Sequence, residues 1–452
     1  MSRRWPIVSF ALLALLLAAA VYRAATLSIT VDEAYTYTQF VARPIPAVLA
    51  EYDANNHILY TLLAKLTTSM FGATDLALRL PALGAAALFL AALYRLLRQL
   101  AGATSWLAPV GIVLIGANTY IADLLPLARG YGLALGLFTL GLSLLIDSEA
   151  EGAWPRLAGL VLGLAVAANL TFLFPSVGLL AGLFWLHRRA ALTASLTALG
   201  VGALLLAAPL WNAGREHFYF GADRWVTSAG SLMGGSLSHD WSERGGPVPM
   251  GSVILAAVLA ATVAAGWMLR AKSRALWLLG CSIAMSFLLL LAGHAVAGLP
   301  YPYGRTGIYW LLLCGAGLVA LASRFRAAAG ACLAIALAAS YFYVRAWSTG
   351  ATIDWVWDAG TRAIAEMVAA QPRPINGRRV RIGVNGPVSH TLNYYRRTRG
   401  WTWLDDVKQD DFKRGGFDYY VLFEGDRQWA AAQHLTVLYE HPIAHSFLAA
   451  RR

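Results

Sequence analysis

Residues 5–35 read WPIVSFALLALLLAAAVYRAATLSITVDEAY. The run from Trp5 to Tyr22 has no charged residue and approaches the roughly 20 residues that cross a bilayer as a helix. It follows Ser2-Arg3-Arg4, lacks a convincing cleavage site and precedes further apolar runs, so it is expected to stay as a signal-anchor helix. Just beyond it stand two adjacent carboxylates, Asp32 and Glu33. Ionisable groups beside lipid are costly and tend to mark chemistry or transport, which makes this pair the first candidate for function.

The rest of the composition agrees with a membrane class. Of 452 residues, 58% are hydrophobic and 13% charged, and the mean hydropathy is +0.56. A soluble core cannot absorb that much apolar surface. The formal charge of +12 does not imply nucleic acid, because Arg and Lys fall largely at the ends of apolar runs, where topology accounts for them. The three cysteines, Cys281, Cys314 and Cys332, lie inside predicted membrane helices and form no metal or redox spacing, so packing is their expected role.

Positive-inside counting places Arg3 and Arg4, Arg95 and Arg98, His187 to Arg189, Arg270 to Arg274, and Arg324 with Arg326 on the cytoplasmic side. Asp32 and Glu33, the loop from Asn212 to Met250, the segment His294 to Arg305 and everything after about Trp347 then face outward. Asn56 to Gly72 carries His57, Thr61, Lys65 and Thr68 at helical spacing and is short for a span, so it reads as an amphipathic helix in the outer interface. Leu157 to Leu186 fits two short spans or a partial hairpin around Asn169 and Pro175. The expected fold is a polytopic α-helical membrane protein of about eleven transmembrane helices. Residues 1–346 are expected to form the membrane domain and 347–452 a small soluble α/β domain on the outer face. In that tail Arg362 to Ala370 reads as helix, Val380 to Val384 as a half-buried strand and Phe417 to Phe423 as a more buried one. Its acids Asp405, Asp406, Asp410 and Asp411 read as a solvated cluster.

Four motifs follow one another: Asp32-Glu33-Ala34-Tyr35, Tyr52-Asp53-Ala54-Asn55-Asn56-His57, Leu78-Arg79-Leu80-Pro81 and Ala128-Arg129-Gly130-Tyr131. In order and spacing the chain resembles the GT-C membrane glycosyltransferases, the class of the protein O-mannosyltransferases and lipid A aminoarabinose transferases (glycosyltransferase family 39). That resemblance covers the first 190 residues. It implies a sugar taken from a polyprenyl-phosphate carrier and transferred with inversion to a lipid, glycan or protein acceptor, in the bacterial inner membrane with the site on the periplasmic face. Many relatives have His-Pro-Pro where this chain has Asn55-Asn56-His57-Ile58, which leaves sugar and acceptor open.

The acceptor must lose a proton as it attacks the anomeric carbon, and a carboxylate within reach is the natural base. Asp32 is the expected base. Glu33, projecting elsewhere, would orient a neighbour, contact the acceptor or help hold a divalent cation. Asp53 and Asn56 are further binding candidates. The leaving lipid phosphate calls for fixed cations and donors: Arg79, Arg129 and Arg305, with His57, Tyr131 and Tyr303 beside them. Arg305 stands in Leu299-Pro300-Tyr301-Pro302-Tyr303-Gly304-Arg305, where prolines and glycine fix an irregular backbone among aromatic rings. These residues are expected to converge on one outward-facing cavity. The aromatic loop with His217, Phe218, Tyr219, Phe220, Trp225 and Trp241 reads as an interface belt or, hinged at Gly234-Gly235 and Gly245-Gly246, as a lid. No metal spacing is diagnostic. The alternative function, a transporter or flippase of polyprenyl-linked sugars, predicts midplane charges and repeat symmetry, and the sequence displays neither.

Overall fold

A computed structural model describes residues 4–102, 104–147, 154–237, 248–371, 377–409 and 412–451. Arg3, Trp241, Gly245, Gly246, Asp410 and Asp411 lie outside the described residues. The protein is a multi-pass helical membrane protein followed by a small sheet. Among the described residues eight helices are long and apolar enough to span: Arg4–Thr26, Asp75–Ala101, Gly130–Asp147, Arg188–Asn212, Pro249–Met268, Arg274–Ala297, Gly304–Ala322 and Arg326–Arg345. Shorter apolar helices cover Ile58–Phe71, Leu107–Gly116, Trp154–Ala168 and Leu170–Leu186. The segment expected to lie in the outer interface is a helix of 14 residues, Ile58–Phe71, and the expected break around Asn169 is real, with Asn169 capping the turn that follows it.

Every one of the eight spans precedes residue 347. The chain nonetheless divides into two compact units along a different line. One holds the chain up to Val21, Ile45–Leu63 and Leu80–Trp347; the other holds Tyr22–Pro44, Ala64–Arg79 and the residues from Ser348 onward. The acidic pair thus shares a unit with the C-terminal sheet.

Among the eight spans, Gly130–Asp147 and Gly304–Ala322 are the most enclosed, while Arg4–Thr26 and Arg326–Arg345 leave most of their surface exposed, as lipid-facing helices do. Lipid supplies no hydrophobic drive between helices, so close backbone approach has to do the work. Gly159 and Gly163, one turn apart on Trp154–Ala168, provide it: a Cβ at either would press on the Ala194 or Ala198 carbonyl at 2.2 or 2.8 Å.

The second unit carries a four-stranded sheet, β1 (Ile382–Val384), β2 (Tyr419–Phe423), β3 (Leu435–Glu440) and β4 (Ser446–Arg451), in the order β1-β2-β4-β3. β1 lies parallel to β2, and β4 runs antiparallel to both β2 and β3. Phe412, Tyr420, Leu422, Phe447 and Ala449 form its core, with Trp429 packed against them. Ile382, Gly383 and Val384 are all buried, where alternation had led us to expect a half-buried strand; a strand paired in parallel is covered on both faces. The expected tail helix runs Thr361–Ala370.

Candidate active site

In the second unit the stretch Thr30-Val31-Asp32-Glu33 opens a six-residue helix, Val31–Thr36. Thr30 Oγ1 accepts the Glu33 N–H at 3.3 Å, and Glu33 Oε2 accepts the Thr30 N–H at 2.9 Å, a reciprocal capping box. Arg79 meets Glu33 as a fork, Nε to Oε1 at 2.9 Å and Nη2 to Oε2 at 2.7 Å. Its Nη1 donates to the Ala24 and Leu27 carbonyls at 3.0 and 2.8 Å, and Nη2 to the Ser28 carbonyl at 2.8 Å. All five guanidinium donors are thereby engaged, and both side chains are 0% exposed. A buried ion pair holds only when its remaining lone pairs and protons are met, and here they are.

Asp32 differs from its neighbour in being half-buried. Its charge acts on two groups from the C-terminal residues, Asp358 and His390. The His390 ring meets Tyr35 edge-on at 5.3 Å, and burial pushes its imidazole below the ordinary range against the pull of Asp32.

In the first unit Asp53 Oδ1 accepts the Asn55 N–H at 2.7 Å, closing a tight turn. Asn56 staples that turn: its Nδ2 donates to the Val48 and Glu51 carbonyls at 3.0 and 2.8 Å, and its Oδ1 accepts from Thr61 at 3.0 Å. The turn presents Asn55, whose Oδ1 accepts from Arg129 Nη2 at 2.8 Å. Arg129 is buried, and its guanidinium lies 5.8 Å from the centre of the Tyr131 ring. The His57 ring meets Tyr131 edge-on at 5.0 Å. Gly130 makes this approach possible, since a Cβ there would lie 1.9 Å from the Ala168 carbonyl and 2.8 Å from His57. Burial first, then the positive charges of Arg129 and Arg305, hold the His57 imidazole well below its usual range. Its Nε2 is buried with no hydrogen-bond partner among the described residues. Arg305 lies over Phe220 at 4.8 Å, and Phe220 in turn contacts Tyr303 at 6.1 Å. Gly304, at φ +53, turns the backbone between Tyr303 and Arg305.

Asp32, Glu33 and Arg79 therefore belong to the second unit, and Asp53, Asn56, His57, Arg129, Tyr131, Tyr303 and Arg305 to the first. Glu33 and Arg79 are bonded to each other; Tyr131 packs against the His57 ring, and the charges of Arg129 and Arg305 act on it. Among the described residues no group of three or more His, Cys, Asp and Glu is placed to hold a metal ion. Sequence reading missed Asn55, His390 and Asp358. Asn55 sits inside a motif already singled out, whereas His390 and Asp358 carry no local signal.

No protein-family model and no curated protein matches the chain. Solved structures align over nearly the whole chain. ArnT from Cupriavidus metallidurans, solved bound to undecaprenyl phosphate, aligns over 100% of this chain and 98% of its own, with a TM-score of 0.52 at 14% identity. The oligosaccharyltransferase AglB from Archaeoglobus fulgidus, in complex with an inhibitory peptide and a dolichol-phosphate, aligns over 98% of this chain and 74% of its own, with a TM-score of 0.49 at 13% identity.

Proposed function

From a membrane fold of the GT-C glycosyltransferase type, we propose that the protein transfers a sugar from a polyprenyl-phosphate carrier to a lipid, glycan or protein acceptor on the outer face of the bacterial inner membrane. The observation that carries this reading is the cluster in the first unit: two arginines whose charge bears on a buried, neutral imidazole beside a tyrosine ring. Fixed positive charge in a site partly screened from water suits a phosphate whose negative charge grows as it leaves. ArnT, the fold neighbour, was solved with a polyprenyl phosphate bound, which favours the same class of carrier here.

The step is a single displacement. The acceptor oxygen attacks the anomeric carbon, the bond from that carbon to the phosphate oxygen breaks, and its electron pair departs with the lipid phosphate. The acceptor proton passes to Asp32, and the anomeric centre inverts. Arg129, Arg305, His57, Tyr131 and Tyr303 receive the phosphate and sugar. Asp53 and Asn56 shape the turn that sets Asn55 against Arg129. We assign Glu33 and Arg79 to holding the Asp32 loop, because a guanidinium with five donors already engaged has none left for a phosphate, and a carboxylate locked into a cap and an ion pair is a poor cation ligand. Residues 347–452 act as an outer-face domain.

Purified protein in detergent, given polyprenyl-phosphate-linked pentose, mannose and hexosamine in turn, should release polyprenyl phosphate from one of them, and Asp32→Asn should stop that release. Movement of the intact donor across a vesicle bilayer without sugar release would favour a flippase instead. Activity of Asp32→Asn within a few fold of wild type would remove Asp32 as the base.

A further inference from the structure

The loop that precedes Asp32 is held by residues from the far end of the chain, all within the second unit. Ser28 Oγ donates to the Ala359 carbonyl at 2.7 Å, the Ile29 N–H donates to Tyr395 Oη at 3.2 Å, and the Val31 N–H donates to Asp358 Oδ2 at 2.7 Å. The third of these completes a cap. A helix leaves its first N–H groups without internal partners. Here Thr30 Oγ1 takes the Glu33 N–H, and the first helical N–H, that of Val31, goes to Asp358. Asp358 is itself 1% exposed, and its Oδ1 has no hydrogen-bond partner among the described residues. Burial pushes its carboxyl well above the usual carboxylate range, and the charges of Asp32 and Glu33 push the same way. A protonated carboxyl still accepts through its carbonyl oxygen, so the cap to Val31 does not depend on charge.

We propose that Asp358 is a positioning residue for the transfer step: by accepting the Val31 N–H it fixes the first turn of the helix on which Asp32 stands, and so aims the base. The proposal rests on Asp32 being that base. It gives the C-terminal residues a share in the chemistry without contact with substrate. Because what Asp358 supplies is an acceptor of the right shape, an amide serves in its place and a methyl does not.

The test places Asp358→Ala and Asp358→Asn each in the wild type and in Asp32→Asn, and follows release of polyprenyl phosphate from the accepted donor. Loss of aim without loss of binding lowers kcat and leaves KM nearly alone. Asp358→Ala should lower kcat by about tenfold or more with the donor KM changed by less than about twofold, and Asp358→Asn should stay within about threefold of wild type. In the Asp32→Asn background Asp358→Ala should cost less than about twofold more, because a residue acting through Asp32 has nothing left to act on. An equal loss in both backgrounds would overturn the proposal, as would a change confined to KM. Should the alanine variant fail to fold, Asp358→Asn decides alone: near-wild-type turnover supports positioning, and turnover as low as that of Asp32→Asn overturns it. An active Asp32→Asn enzyme would show separately that the underlying assignment of the base is wrong.

Discussion

Two charged clusters, one in each compact unit, treat their arginines in opposite ways. Around Glu33 every donor of Arg79 is spent on the protein itself, the ion pair is fully buried, and positive and negative charge cancel. Around His57 the charges that act on the ring are both positive, and burial together with that field keeps the imidazole neutral. A saturated network fixes a backbone, since removing any member strands a buried partner. Positive charge bearing on a buried, neutral ring is the arrangement the proposed phosphate site calls for. On the proposed reading the same residue type serves architecture in one unit and recognition in the other.

The largest effect should come from breaking the strut. Arg79→Ala leaves Glu33 buried and uncompensated, at a cost of about 3–5 kcal/mol, and replacing both partners together (Glu33→Leu with Arg79→Met) should return much of it. Thermal unfolding in detergent measures this; a single substitution that leaves Tm unchanged would mean the pair is not the strut described here. Next in size is Asp32→Asn, expected to lower kcat by about a hundredfold or more with little change in Tm, the scale for removing a general base. Its separation from the Glu33 effect is the point: adjacent carboxylates should fail differently, one in turnover and the other in folding.

Arg305→Gln tests the second cluster. It removes one charge-assisted interaction, worth about 1.5–3 kcal/mol, so binding of polyprenyl phosphate should weaken by roughly ten- to a hundredfold while Tm stays close to wild type. Loss of Tm without loss of carrier binding would turn Arg305 into a second strut. The smallest effect is in pH. Because the folded protein holds His57 below its ordinary value, folding releases the proton that His57 carries when it is charged in the unfolded chain. Stability is therefore unaffected by His57 above about pH 6.5 and falls as the pH drops below that value. Unfolding midpoints of wild type and His57→Gln should diverge on the acid side, with the variant less sensitive; parallel curves would show that the imidazole is not held neutral.

Much of the cluster around His57 was legible because its motifs are short and local. Arg129-Gly130-Tyr131 and Asn55-Asn56-His57 each place their side chains by one turn, and Gly130 is needed where the chain passes the Ala168 carbonyl. The role of Glu33 was also written locally, as a threonine three residues before a glutamate at a helix start, yet the pairing of two acids drew attention away from that cap. Arg79 read as a phosphate ligand because a sequence displays the charge and hides the carbonyls that consume it.

The sequence by itself determined the membrane class, the spans and the order of the motifs, because hydropathy over a span length and the residues of a single turn are local properties. Only the tertiary structure decided that Tyr22–Pro44 and Ala64–Arg79 join the C-terminal residues in one compact unit, that Glu33 and Arg79 cancel each other, and that Asp358 caps a helix 327 residues away. The physical reason is that a buried polar group takes whichever partner the packing brings to it, and across such a separation no pattern of spacing records which partner that is.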